Sequence, residues 1–138
     1  RGAALCRAAD FGRDFASYFA RHNDEVLVVV MLEHADAVGS AREILATPGI
    51  DAALIGPYDL SASMALPGRL DDPEVRAAQR TILDACRESG VPAGIHVVEP
   101  DPAQLKERIR EGFRFLPYGI DTEFLLAGCR TAFGDAGG

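Results

Sequence analysis

Val26-Leu27-Val28-Val29-Val30-Met31-Leu32-Glu33 is followed, one helix-length later, by Pro48-Gly49-Ile50-Asp51-Ala52-Ala53-Leu54-Ile55-Gly56-Pro57-Tyr58-Asp59-Leu60-Ser61. The first run is continuous, apolar and β-branched without alternation, the pattern of a strand in a parallel sheet. The second contains another short apolar run, residues 51–55. Between them, residues 36–47 carry a helical pattern that stops at Thr47-Pro48-Gly49. Strand, helix and strand make a βαβ unit, whose crossover sets the two strands parallel. An acid stands at the carboxyl end of each strand: Glu33 closes the first and Asp59 lies just past the second. In parallel α/β folds that end is where ligands bind, because loops and helix N-termini converge there. Two carboxylates facing one point repel each other unless a cation lies between them, and a divalent ion is the simplest candidate.

The same alternation continues outward. Residues 11–22 read as a helix, with Phe11, Phe15, Tyr18 and Phe19 at helical spacing, and residues 25–32 as the first strand. Residues 57–70 read as a long loop with a short helix after Asp59. Asp71-Asp72-Pro73-Glu74 is a helix start, an Asp cap followed by Pro and an acid. That helix runs to about Ser89, with Val75, Ala78, Ile82 and Ala85 on one stripe, and Gly90-Val91-Pro92 ends it. Residues 93–98 form the expected third strand. Asp101-Pro102 starts a helix to about Glu111, residues 113–116 the fourth strand, and residues 121–133 the last helix before a frayed glycine-rich tail. The order is α-βα-βα-βα-βα within a single domain spanning residues 1–138. Four parallel strands suit either an open sheet or half of a (β/α)₈ barrel, and periodicity alone does not choose. A half barrel has two unpaired edges that must be covered or paired.

Composition narrows the function classes. The chain is 48% hydrophobic over 138 residues, enough for a core of its own. Its net charge of −7, with no basic run, argues against nucleic acid and anionic membrane as partners. No apolar run approaches the ~18 residues of a membrane span. The three cysteines, Cys6, Cys86 and Cys129, are widely spaced and form no CxxC pair, so neither a disulfide framework nor a zinc knuckle is indicated. Cys86 and Cys129 are expected as small core residues of helices, and a reducing cytoplasm is the natural compartment. Arg1-Gly2-Ala3-Ala4-Leu5-Cys6 has neither an initiator Met nor the apolar stretch of a signal peptide.

The strand-terminal Glu33, the segment from Pro48 to Ser61 and the later Gly90-Val91-Pro92-Ala93-Gly94-Ile95-His96 together resemble, in order and spacing, the class II pyruvate aldolases. These are the 4-hydroxy-2-oxoheptanedioate and 2-keto-3-deoxy-L-rhamnonate aldolases of the citrate-lyase-β-like superfamily. The resemblance covers most of residues 25–133 and implies the C-terminal half of a (β/α)₈ TIM barrel. It implies a metal-dependent carbon–carbon lyase that cleaves a 4-hydroxy-2-oxo acid to pyruvate and an aldehyde through a metal-bound pyruvate enolate. Glu33 and Asp59 would be the two protein ligands of Mg²⁺ or Mn²⁺, with Co²⁺ as a further possibility. Oxygen-only ligation favours such hard ions over zinc. Gly56, Pro57 and Tyr58 match the segment that approaches the pyruvate carboxylate. Gly56 permits close backbone approach, and because Pro57 has no N–H, Tyr58 and Asp59 supply the donors.

Taken singly, each residue also has a plainer use. Glu33 fits a cap or ion pair at a strand end, Asp59 an N-cap, and Gly56-Pro57 a simple turn; Ser61 suits a loop cap. Met31 stands where some members of the resembled family carry a Gln that reaches pyruvate, a difference of subfamily and substrate. Of the histidines, His22 is expected in solvent and His96 hydrogen-bonded in the core. His34, directly after Glu33, is the candidate catalytic base. In full-length members the acid–base His and the pyruvate-binding Arg precede this segment, and Arg1-Gly2 resembles an Arg-Gly pair just before it. The chain is therefore expected to be an incomplete, weakly active half and a homo-oligomer with a small 2-oxo acid as ligand. The alternatives are a citramalyl- or malyl-CoA-type lyase, disfavoured by the lack of a basic cluster for CoA phosphates, and a non-catalytic assembly module.

Overall fold

The computed structural model describes residues 7–134; Arg1-Gly2, Cys6 and the last four residues of the tail lie outside them. After a 3₁₀ segment at Arg7–Gly12, the order is α1 (Phe15–Glu25), β1 (Val29–Leu32), α2 (Ala35–Gly39), α3 (Ala41–Leu45), β2 (Ala52–Ile55), α4 (Pro57–Ser63), α5 (Pro73–Ser89), β3 (Ala93–Ile95), α6 (Pro102–Glu111) and α7 (Asp121–Phe133). The three strands form one parallel sheet in the order β1-β2-β3.

All four strands differ from their expected extent: the second begins at Ala52 rather than at residue 51, and the third, expected over residues 93–98, ends at Ile95. The first begins at Val29, because α1 runs on to Glu25 and because Val28 is held by a different group: its N–H donates to the Asp51 carboxylate at 2.7 Å. The fourth does not form a regular strand. Residues around Phe115 and Tyr118 lie parallel to β3 through two isolated bridges, Gly94 with Phe115 and Val97 with Tyr118. Pro117 breaks this ladder, since it has no N–H; its carbonyl still accepts from Val97 N at 2.9 Å. The single helix expected over residues 36–47 is two helices meeting at Ser40. The helix expected over residues 11–22 starts at Phe15 instead.

Local signals fixed most other boundaries. Asp72 and Asp101 cap α5 and α6, accepting from Glu74 N at 3.0 Å and Ala103 N at 2.8 Å, and a Pro opens each helix. Gly90 and Gly112 end those helices at positive φ, 73° and 111°, where a side chain would be strained.

One face of the sheet carries the core. Leu32, Ala53, Ile55, Ala93 and Ile95 pack beneath the α5 stripe of Ala78, Ile82, Leu83, Ala85 and Cys86, with Ala41 and Leu45 of α3 beside it. Burial pushes the Cys86 thiol up to about 11, so it stays protonated near neutral pH. Arg42 of α3 clamps Glu88 of α5 with both arms, at 2.5 and 2.9 Å, and this hydrogen bonding holds Glu88 below the usual carboxylate range. The opposite face is open: Val29 and Met31 are exposed, and Leu54 and Gly94 lie on the same side. Cys129, expected in the core, is exposed instead, because α7 buries no residue against the rest of the chain.

Gly94 is where the segment around Phe115 comes closest. A Cβ there would stand 2.6 Å from the Phe115 carbonyl and 2.9 Å from that of Ala53. Gly94→Ala is therefore expected to lower stability by about 1–3 kcal/mol in urea unfolding. Gly39→Ala, which has no neighbour within 4 Å, should be neutral or slightly stabilising.

Candidate metal and ligand site

Strand register brings the two candidate acids to one place. Leu32 pairs with Ile55 in the parallel ladder, so Glu33 and Gly56 are the next neighbours beyond the sheet. The chain then turns at Gly56 into α4, with Pro57 at its first position and Asp59 in its first turn. A side chain at Gly56 would collide with Glu33: a Cβ would lie 2.7 Å from Glu33 Oε2 and 3.6 Å from Asp59 Oδ2. Both carboxylates thus reach within 4 Å of the same point. Asp59 is part of α4 rather than of a loop, and its helix is capped by Gly56, not by Asp59 itself.

Two hydroxyls hold these loops together. Ser63 Oγ donates to Leu60 O at 2.7 Å and accepts from Ala35 N at 3.0 Å, tying α4 to the start of α2 just past Glu33. Ser61, fully buried, donates to Tyr58 O at 2.8 Å and accepts from Gly68 N at 3.1 Å. It is the loop cap its position suggested.

The donor set fits a hard divalent cation. It consists of two carboxylates and no soft or imidazole ligand, which suits Mg²⁺ or Mn²⁺. Among the described residues no group of three or more His, Cys, Asp and Glu side chains gathers to form a closed metal cage.

Beside the acids is a crevice of about 140 Å³, bordered by Met31, Leu54, Gly56, Tyr58, Asp59 and His96. A second cleft of about 250 Å³ adjoins it and shares Pro57, Tyr58, His96 and Val98. The expected pyruvate-binding residues Gly56, Pro57 and Tyr58 all border the crevice. His34 behaves differently. Its Nδ1 accepts from Asp36 N at 3.2 Å, capping α2, and the ring is largely exposed. His96, expected as a hydrogen-bonded core residue, does make a hydrogen bond but lies at the edge of both cavities rather than in the core. It is half-buried and borders both cavities, and its Nε2 lies 3.3 Å from the Gly119 carbonyl. The signal was present in the strand's parity: with Ala93 and Ile95 facing the helices, His96 falls on the open face.

Residues 4–127 match the HpcH/HpaI aldolase/citrate lyase family. The chain is 39% identical to 2-keto-3-deoxy-L-rhamnonate aldolase of Escherichia coli (strain K12) over 121 residues, 88% of this chain and 44% of that protein. Its fold superposes on an HpcH/HpaI aldolase/citrate lyase family protein from Burkholderia cenocepacia J2315 with a TM-score of 0.85 and 34% identity, over 99% of this chain and 52% of that one. The HpcH/HpaI aldolase from Desulfitobacterium hafniense DCB-2 shares the fold at a TM-score of 0.80 and 24% identity, over 93% and 51% of the two chains. The chain belongs to the HpcH/HpaI aldolase/citrate lyase family, and its architecture is that of half a (β/α)₈ barrel. It spans about half the length of the relatives it matches. Among the described residues no helix is long and apolar enough to cross a membrane.

The space at Gly56 is the part of the site most open to test. At φ −87° an Ala backbone is unstrained, so Gly56→Ala should fold normally by circular dichroism. Its methyl group displaces the Glu33 carboxylate, so any rise in melting temperature caused by Mg²⁺ or Mn²⁺ is expected to shrink sharply. A full metal response in this variant would show that Glu33 is free to ligate from elsewhere.

Proposed function

We propose that this chain carries the metal- and pyruvate-binding half of an aldol-cleaving active site. The supporting observation is the convergence of Glu33 and Asp59 on the space left open at Gly56. Glu33 and Asp59 would hold Mg²⁺ or Mn²⁺, and the bound ion would supply Lewis-acid polarisation to the keto group of a 2-oxo acid. Gly56 keeps the approach clear of side chains. Tyr58 and Asp59 present the N–H groups that Pro57 lacks, at the first turn of α4, toward the ligand's carboxylate. Met31 and Leu54 give the crevice an apolar wall that limits water around the reacting carbon.

The reaction this serves is cleavage of a 4-hydroxy-2-oxo acid to pyruvate and an aldehyde. The name of the E. coli relative, an aldolase acting on a 2-keto-3-deoxy sugar acid, supports that class of substrate. A proton must leave the C4 hydroxyl as the C3–C4 bond breaks, and the electron pair passes into the pyruvate fragment. Among the residues around Glu33, His34 is committed to capping α2, which weakens its case as the base. Orientation and proton transfer are each commonly worth orders of magnitude in rate. The 138-residue chain is therefore expected to cleave such substrates far more slowly than a longer chain that supplies the other half of the barrel. That longer chain should be silenced by chelator.

Metal binding itself is tested on the chain as it stands. Mg²⁺ or Mn²⁺ should raise the melting temperature by mass action. Glu33→Gln and Asp59→Asn, which keep volume and one oxygen, should each abolish the rise. An unchanged rise in both variants would remove the ligand assignment.

Self-association is the second part of the proposal. The open sheet face exposes Val29 and Met31, and α7 exposes Phe124, Leu125, Leu126 and Phe133. A parallel sheet is ordinarily covered on both faces, and apolar surface of this kind drives assembly. A dimer or larger oligomer is expected in light scattering at micromolar concentration; a stable monomer would contradict it.

A further inference from the structure

His96 is a titratable side chain placed where a hydrocarbon would serve a barrel interior as well. Ile55 pairs with Ile95, so Gly56 and His96 are the next neighbours across the sheet, and His96 N donates to Ile55 O at 3.3 Å. Glu33, Gly56 and His96 therefore stand side by side on three adjacent strands, with roughly 5 Å from each strand to the next. Gly56 in the middle contributes no side chain between the carboxylate on one flank and the imidazole on the other.

The ring's hydrogen bonding sets its chemistry. Gly119 O can only accept, so Nε2 carries the proton in their 3.3 Å contact. Nδ1 of the neutral ring is then an acceptor, and it has no protein partner among the described residues. The ring lies at the junction of the small crevice beside Asp59 and the larger cleft, whose polar lining includes Asp71, Glu99 and Gln104. An acceptor at that junction suits a hydroxyl, a group with a proton to give.

We propose that His96 is a specificity-determining residue that accepts a hydrogen bond from a hydroxyl on the carbon chain beyond the pyruvate unit of the substrate. This rests on the reading of Glu33 and Asp59 as the metal and pyruvate site. A pyruvate unit held at the acids fills the crevice, and the rest of the substrate must leave past His96 into the polar cleft. An analogue that lacks the hydroxyl leaves Nδ1 unpaired in a half-buried setting and binds more weakly.

The test uses the Mg²⁺-loaded chain and three probes in calorimetry: pyruvate, 4-hydroxy-2-oxopentanoate and 2-oxopentanoate. The wild type is expected to prefer the hydroxylated probe over its deoxy counterpart by roughly three- to tenfold, the range of one neutral hydrogen bond. His96→Leu should erase that preference and leave the Mg²⁺ response intact. His96→Asn, whose amide oxygen can stand in for Nδ1, should restore part of it. In parallel, the ¹⁵N resonances of the His96 ring in the wild type should move on adding the hydroxylated probe and not the deoxy one. This readout holds even if the Leu variant folds poorly. Equal preference in wild type and Leu variant, or a ring that responds to both probes alike, overturns the assignment to His96 alone. Failure of pyruvate to bind the Mg²⁺-loaded wild type removes the metal-and-pyruvate reading, and this inference falls with it.

Discussion

A side chain at position 56 would stand 2.7 Å from Glu33 Oε2, and the whole mouth of the sheet is arranged around that empty volume. Three strands end together there. The first delivers a carboxylate into the gap, the second turns at the gap into a helix bearing another carboxylate, and the third sets an imidazole on its far side. Two acids so close repel in the absence of a cation. The fold tolerates them because both remain in reach of solvent, and because the positive end of α4 favours an anion in its first turn.

Rigidity behind the site comes from the opposite face. Ile55 and Leu60, both fully buried, bracket the turn at Gly56, so the chain that carries Asp59 is anchored on either side of the exposed acid. Ser63 adds a polar strap from α4 to Ala35, just past Glu33. The two segments that carry the acids are thereby joined to each other and not only to the sheet.

The apolar surface that remains uncovered has a single geometric origin. β1 is an edge strand whose open face carries Val29 and Met31, and α7 extends from the far end with no buried residue. In the B. cenocepacia relative this chain corresponds to 52% of the molecule. A sheet with helices on one side satisfies only half of what a parallel sheet requires. That unmet requirement is the physical ground for the proposed self-association.

Much of this was legible before any coordinates. The caps at Asp72 and Asp101, the α5 stripe, the βαβ order and the pair Glu33 and Asp59 follow from local chemistry, because caps, helix periodicity and strand ends are decided within a few residues. Residues 25–28 were misread, since nothing local reveals that Asp51, just before the second strand, captures the Val28 N–H. The fourth strand was overcalled for a similar reason: Phe113-Arg114-Phe115-Leu116 has strand character, but Pro117 and the close approach at Gly94 limit it to two bridges. Cys129 looked like core because its helix is apolar, and burial depends on what packs against a helix, not on its composition. His34 and His96 are separated by the same principle. One stands next to Glu33 in sequence and caps its own helix, while the other lies far along the chain and meets that acid's neighbourhood through the sheet. Sequence determined which residues could do chemistry and where helices begin. Only strand register, a contact between segments distant in the chain, decided which of them face one another.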